Sequence, residues 1–351
     1  MNICLFISSL KYGGAEKQAV LDANLLSNSH KVYLITYVDG PQKSSLNKEV
    51  ELIIFPKFSY PLAAWKLSRF VKQHRIDVIY SFLFAPMIVS ALSGIWHSAS
   101  VIWAFHSHEY DVPFKSKVVF FLCSRLPGVR KILFVNRELK QYFVSRLWVP
   151  AKKTGILYNS STFRDKDHRP ARHNETIHIG YVGRLVELKR IHYLIELADY
   201  LNKSQVHNFH IHIVGDGPAR DSLEKLVQIL DVSDKITFYG FHSEIERYYD
   251  YFHLFINPSR EECLSIALID AGMKGIPSIA FDVGGNSEII LHDESGFIVQ
   301  NKTELFEITR KMITHPQMIR DLGDRASIHC KEHFSEEAHL ENLTKILEAS
   351  A

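Results

Sequence analysis

SREECLSIALIDAGMKGIPSIAFDVGGNSE, residues 259–288, carries the pattern that decides the fold. A charged loop, Arg260-Glu261-Glu262, runs into a short apolar helix that stops at Gly275 and Pro277. A continuous apolar strand, 278–282, then leads into Gly284-Gly285. Helix, buried strand and glycine turn form the repeating unit of a parallel sheet covered by helices. The helix also carries Asp270, with seven residues between it and Glu262. Glu262 can hold hydroxyls of a sugar ring. The first-turn N–H groups, near Leu264, Ser265 and Ile266, can receive a diphosphate. Asp270, two turns along, can take the hydroxyls of a ribose. Acid, helix tip, acid is the order a sugar nucleotide needs.

The same alternation runs through the chain. Apolar strands are expected at 3–8, 32–37, 52–55, 78–82, 101–105, 132–135 and 155–158, and again at 177–182, 209–214, 236–239, 254–257, 278–282 and 297–299. Amphipathic stretches of roughly 10–16 residues separate them, which predicts an α/β chain. So many strands exceed one ordinary open sheet, so two doubly wound domains are expected. The polar stretch 160–174, containing Pro170, is the expected linker.

The 351 residues suffice for two domains of ordinary size. With 46% hydrophobic and 23% charged residues, the composition is that of a globular protein. Cys4, Cys123, Cys263 and Cys330 stand apart without CxxC pairing, the pattern of reduced thiols in a cytosolic protein. Met1 to Leu10 lacks the basic start and cleavage site of a signal peptide. No run reaches the ~18 apolar residues of a membrane span. Net charge is +2, yet residues 1–150 hold 18 Lys and Arg against 9 Asp and Glu. The remainder holds 23 against 30. A basic half joined to an acidic half implies that one half meets an anionic surface or substrate. No nucleic-acid-binding motif accompanies that charge, so nucleic acid is not an expected partner.

The stretch 259–288 resembles the donor-binding signature of the family 4 (group 1) glycosyltransferases. These are retaining enzymes with the GT-B fold, two Rossmann-like domains facing across a cleft. The family pattern is Glu, seven residues, Glu; here the second acid is Asp270, one methylene shorter. The segment IGYVGRLVELKR resembles the family's GR…K motif, which assigns Arg184 and Lys189 to the donor phosphates. Two cations at a strand end can neutralise a departing diphosphate. GDGP, containing Gly215, resembles the turn that supports the nucleotide pocket, and it also suits a tight turn with Pro218 at a helix start. GGAEK, with Gly13 and Gly14, resembles the family's first loop, which faces the donor phosphates. Without GxGxxG spacing it equally suits a plain tight turn. His106 follows the apolar strand 101–105 and aligns with the family's His near the reacting sugar; a structural surface His is the other reading.

Three further patterns carry less chemistry. Asp165-Lys166-Asp167 is a formal DxD in the polar linker, where it is solvated charge. His207, His210 and His212 are expected at a polar strand edge. His106-Ser107-His108-Glu109 offers no complete zinc ligand set, so no metal is expected. Two runs, PLAAWKLSRFVKQHR and FKSKVVFFLCSRLPGVRK, mix cations with aromatics. They suit either an anionic bilayer surface or a helix packed on a sheet with a solvated basic face.

The resemblance implies domains at 1–165 (acceptor side) and 166–334 (donor side), with a final helix, 335–351, returning to the first domain. It implies transfer of a sugar from a nucleotide-diphosphate sugar, UDP- or GDP-linked, to a hydroxyl of a saccharide acceptor, without metal or other cofactor. Glu262 and His106 are the expected catalytic residues. The basic first half points to a lipid-linked acceptor at the inner face of a bacterial membrane, in O-antigen or capsule synthesis. Two alternatives are a non-catalytic sugar-nucleotide-binding subunit and a nicotinamide-dependent oxidoreductase. The latter needs a GxGxxG that no strand end offers.

Overall fold

The structure, a computed structural model, describes residues 1–11, 13–106, 114–163 and 176–351. Asp165-Lys166-Asp167, most of the linker, and Ser107, His108 and Glu109 lie outside the described residues. The chain forms two compact units, Met1–Asn159 with Glu337–Ala351, and Ser160–Glu336.

The first unit runs β1 (Asn2–Ser9), α1 (Gly14–Ser27), β2 (Lys31–Val38), β3 (Val50–Ile54), α2 (Tyr60–His74), β4 (Val78–Phe82), α3 (Phe84–Ser93), β5 (Ser100–Phe105), α4 (Phe114–Ser124), β6 (Val129–Phe134), α5 (Arg137–Arg146) and β7 (Thr154–Ile156). Its sheet has the order β3-β2-β1-β4-β5-β6-β7. Every described pairing in it is parallel. Central strands such as Val78–Phe82 are buried throughout, because helices cover both faces. One face of the core joins Ile3, Leu5, Ile7, Leu34 and Tyr80 to Leu343 and Leu347 of the final helix.

The second unit runs β8 (Ile177–Val182), α6 (His192–Lys203), β9 (Phe209–Val214), α7 (Arg220–Ile229), β10 (Ile236–Gly240), α8 (Glu246–Tyr249), β11 (Leu254–Asn257), α9 (Ile266–Met273), β12 (Ser278–Phe281), α10 (Asn286–Ile289), β13 (Gly296–Val299), α11 (Lys302–Thr314) and α12 (Pro316–Phe334). The last helix, α13, is Glu336–Glu348. The sheet order is β10-β9-β8-β11-β12-β13, again parallel. Both sheets are doubly wound, and each unit is Rossmann-like. In each, strand order reverses beside the first strand, at β1/β4 and at β8/β11. Ligands of such sheets bind beyond the carboxyl ends of the strands at that reversal.

All thirteen expected strands form. The largest boundary difference is β6, which begins at Val129 rather than 132. Arg130 and Lys131 break its apolar run, yet Val129 pairs with Val101 and Lys131 with Ile102, and the register shifts at Arg130 between them. His210 and His212 alternate along β9, half-buried between apolar residues, on an inner strand flanked by β10 and β8.

Candidate active site

Two loops meet at the carboxyl end of the second sheet. One leaves β8 through Gly183-Arg184-Leu185 and forms a single 3-10 turn, Glu187–Lys189. The other leaves β11 at Asn257 and enters α9 at Ser265, whose hydroxyl caps the helix by accepting the Leu268 N–H at 3.4 Å. The Arg260 N–H donates to the Leu188 carbonyl at 2.8 Å, which ties the loops together. The flanking glycine turns brace each loop. Gly284 has φ +57°, and a Cβ there would lie 1.8 Å from the Glu262 carbonyl oxygen. The next residue, Gly285, donates its N–H to the Cys263 carbonyl at 2.7 Å. Gly215 has φ +138°, and a Cβ there would lie 1.9 Å from the Gly183 carbonyl oxygen. Leu185 N–H donates to the Asp216 carbonyl at 3.0 Å. Only glycine permits backbone this close. Gly215 therefore shapes the site by supporting the Arg184 loop.

The two loops bring Lys189 and Glu262 into an ion pair of 2.5 Å that spans the strand-order reversal. Their side chains are 20% and 13% exposed. The same carboxylate oxygen, Oε1, accepts the Asn257 side-chain amide at 3.1 Å and the Ser259 hydroxyl at 2.8 Å. Asn257 Nδ2 also donates to the Ser265 hydroxyl at 3.0 Å, which links the acid to the tip of α9. Burial, then the nearby Glu262 charge, pushes the Tyr181 phenol well above its ordinary pKa. Arg184 is exposed and, among the described residues, makes no ion pair. A cation without a counter-ion, a held carboxylate and a capped helix tip therefore share one end of one sheet.

The family model for group 1 glycosyltransferases matches residues 163–328, and that for glycosyltransferase family 4 matches residues 12–160. The chain belongs to this glycosyltransferase family. It is 24% identical to a Haemophilus influenzae protein named an uncharacterized glycosyltransferase, over 92% of each chain. It is also 24% identical to a Campylobacter jejuni alpha-1,4-N-acetyl-D-galactosaminyltransferase named for a diNAcBac-PP-undecaprenol acceptor, over 96% of this chain and 97% of that one. The structure resembles that of Anabaena HepE in complex with UDP, with a TM-score of 0.87 and 18% identity over 99% and 100% of the two chains. It also resembles the lipopolysaccharide outer core galactosyltransferase WaaB, with a TM-score of 0.81 and 14% identity over the full length of both. At these identities the likeness establishes the GT-B fold.

The glycosyltransferase's second acid, Asp270, is buried. Asp270 is 1% exposed, and its Oδ1 accepts the Ser161 hydroxyl at 2.5 Å. Its charge adds to burial in raising the Tyr249 phenol, and likewise the Cys330 thiol, which is pushed up to about 12. Asp270 lies on α9 inside the unit, eight positions after Glu262. Leu264 and Ser265 are buried and Ile266 half-buried, all at the N-terminal end of α9.

In the first unit, Gly13 precedes α1 in an extended conformation, and a Cβ there would meet the Glu16 carboxylate at 2.1 Å. That carboxylate accepts the Ser9 hydroxyl at 3.2 Å, so an anion of the chain's own already stands at this helix start. Gly14 is the first residue of α1. His106 follows β5 and stacks on Phe82, with ring centroids 5.3 Å apart. Desolvation pushes its imidazole down to about 4, against the pull of Asp22 and a hydrogen bond with Asn159. It is neutral at pH 7. An open pocket at the carboxyl ends of β1 and β2 is lined by Ser9, Lys11, Tyr37, Lys57 and Tyr60, among others. Among the described residues, no group of three His, Cys, Asp or Glu is placed to hold a metal ion.

Sequence reasoning missed Asn257 and Ser259. Both precede Glu262 in NPSREE, and a buried strand ending in Asn was the available signal.

Proposed function

We propose that the enzyme transfers a sugar from a nucleotide-diphosphate sugar to a hydroxyl of a saccharide acceptor with retention of configuration. The Lys189–Glu262 pair across the strand-order reversal carries this reading. Glu262 holds hydroxyls of the donor sugar. Arg184, Lys189 and the N–H groups near Leu264, Ser265 and Ile266 stabilise the departing diphosphate. Asp270 takes the ribose by exchanging its Ser161 partner for a ribose hydroxyl. His106, Gly13 and Gly14 are the first unit's contribution. The acceptor oxygen bonds to the anomeric carbon as the carbon–phosphate-oxygen bond breaks. The diphosphate leaves with that electron pair and takes the acceptor's proton on the same face. The leaving charge is met by two side-chain cations, so no metal enters the step.

The donor is a UDP- or GDP-sugar; HepE crystallised with UDP supports the first. The acceptor is a lipid-linked saccharide in surface-polysaccharide synthesis at the cytoplasmic face of the membrane. The name of the Campylobacter relative supports it, as do Lys11 and Lys57 in the first unit's open pocket, which suit a phosphate linkage. No helix among the described residues is long and apolar enough to cross a membrane. UDP-, GDP- and ADP-sugars screened for protection against thermal unfolding test the reading. One nucleotide class should raise Tm, and Lys189→Ala should abolish the rise. Protection that survives in Lys189→Ala would remove the diphosphate assignment.

A further inference from the structure

The first unit buries a set of polar groups that its packing does not need. On α1, Gln18 and Asp22 stand one turn apart and are 1% and 0% exposed. They lie on the buried side of the helix with Ala19, Ala23 and Leu26, which share one core with Tyr80 and Phe82 of β4. From α13, the buried His339 reaches the same place. Its Nε2 lies 2.8 Å from Asp22 Oδ1, and its Nδ1 lies 2.7 Å from the Tyr158 carbonyl oxygen. The Gln18 side-chain amide donates to the same Asp22 oxygen at 2.7 Å. A carbonyl only accepts, so Nδ1 carries a proton. Two bare acceptors would not approach to 2.8 Å, so Nε2 and Oδ1 hold one proton between them. The pair is imidazolium with carboxylate, or imidazole with carboxylic acid, and neutral overall either way. Leu343 and Leu347, one and two turns after His339, already seat α13 in the core. A buried ion pair adds little to such docking, because apolar residues of similar volume stabilise as well or better.

The pair leads to His106. Among the described residues, Asp22 Oδ2, the Tyr80 hydroxyl and His106 Nδ1 are buried without a hydrogen-bond partner. The Tyr80 ring lies 4.6 Å from that of Phe82, and Phe82 stacks on the His106 ring at 5.3 Å. One aromatic column therefore runs from the core that α1 and α13 cover to the end of β5. The electrostatics follow the same line. Burial, then the Asp22 charge, raises the Tyr80 phenol. Desolvation lowers the His106 imidazole, Asp22 raises it and His339 lowers it. The two halves of the pair thus pull the His106 proton affinity in opposite directions, and moving their proton changes the field at His106.

We propose that Asp22 and His339 are positioning residues for His106, holding its ring in place through Tyr80 and Phe82 and setting the field in which it meets substrate. The proposal rests on the assignment of His106 to the transfer reaction. Rates and imidazole nitrogen spectra of the full chain test it. Asp22→Asn keeps side-chain size, and Gln18 Nε2, 3.3 Å from His339 Nε2, can then donate to the neutral imidazole. The change should lower kcat roughly tenfold with donor KM unchanged. In a His106→Ala background it should cost less than about twofold, because its effect passes through His106. A full cost in that background, or wild-type kcat in folded Asp22→Asn, overturns the proposal. If Asp22→Asn alone does not fold, Asp22→Asn with His339→Gln, which removes both charges together, takes its place with the same expectations. Full turnover in His106→Ala removes His106 from the reaction, and the spectra then decide the positioning. At pH 7, Asp22→Asn should displace the imidazole nitrogen signals of His106, identified by their loss in His106→Ala. Unmoved signals overturn the proposal whatever the rates show.

Discussion

The two Rossmann-like units share a topology and differ in what their loops do. In the second unit, the loops beyond the sheet are fixed by backbone. Gly284 and Gly215 admit contacts no other residue allows, and the Arg260 N–H bridges the loops. In the first unit, the chemistry is on the outside: exposed Trp148 and Leu122, clustered cations and an open pocket. A donor that always presents a diphosphate rewards rigid loops with fixed N–H groups. Side chains beyond the first sheet can vary without disturbing it.

The sharpest break of that contrast is Glu262→Ala. It removes the proposed sugar contact and leaves Lys189, Asn257 and Ser259 without their shared acceptor. Turnover is expected to fall by about a hundredfold or more. Initial rates of donor consumption measure it, and unaltered rates would sink the assignment. Next comes Gly284→Ala. Its Cβ would collide with the Glu262 backbone, so strain of about 1–3 kcal/mol is expected in the second unit. Gly275→Ala is the control: its φ is +69°, yet the nearest atom to a Cβ is 3.6 Å away. If both variants lose the same Tm, close approach is not what braces the acid loop.

The same contrast decides what was legible in the sequence. Apolar runs such as 177–182 and 254–257 matched their strands to the residue, because strands covered on both faces are mostly apolar; His178 alone interrupts the first and Asn257 closes the second. Glu262, Arg184 and Lys189 were legible because glycines and a fixed spacing surround them. Three-dimensional partners were not. Nothing in the spacing of Asp270 indicates that Ser161, 109 residues earlier, donates to it. Nor does NPSREE show that Asn257 and Ser259 turn back onto Glu262.

Asn257→Ala sharpens the account of the second unit at smaller cost. It removes one of three donors to Glu262 Oε1 and the link to Ser265. A lost hydrogen bond to a charged group is worth about 1.5–3 kcal/mol, so kcat should drop by roughly ten- to a hundredfold. Asn257→Asp should do worse, since it sets a second carboxylate against the first. A rise in KM alone, with kcat unchanged, would assign Asn257 to ground-state binding and not to positioning.

The smallest effect is confined to acid. On β8 and β9, His178 Nδ1 and His212 Nε2 lie 2.8 Å apart, and His212 Nδ1 meets the Tyr239 hydroxyl at 2.8 Å. His210 shares a hydrogen bond with Thr237 at 2.8 Å. Burial, then repulsion from His178, His210 and His253, pushes His212 down to about 3. Burial also lowers His178 and His210, with Lys235 repelling the latter and Asp234 partly offsetting it. A histidine whose folded pKa lies below its unfolded value of 6.5 is favoured neutral in the fold. Its stabilisation is complete above about pH 6.5 and is lost as pH falls toward 3. For His212 the slope is at most about 1.4 kcal/mol per pH unit, less solvent screening. Urea unfolding at pH 7 and at pH 5 should therefore show a destabilisation at pH 5 that His212→Gln reduces, with little change at pH 7. His106 and His97, both lowered to about 4, impose the same sign on the first unit, but without a neighbouring histidine array. If His106→Asn flattens the profile as much as His212→Gln does, mutual repulsion contributes nothing and burial alone sets the acid response of both units.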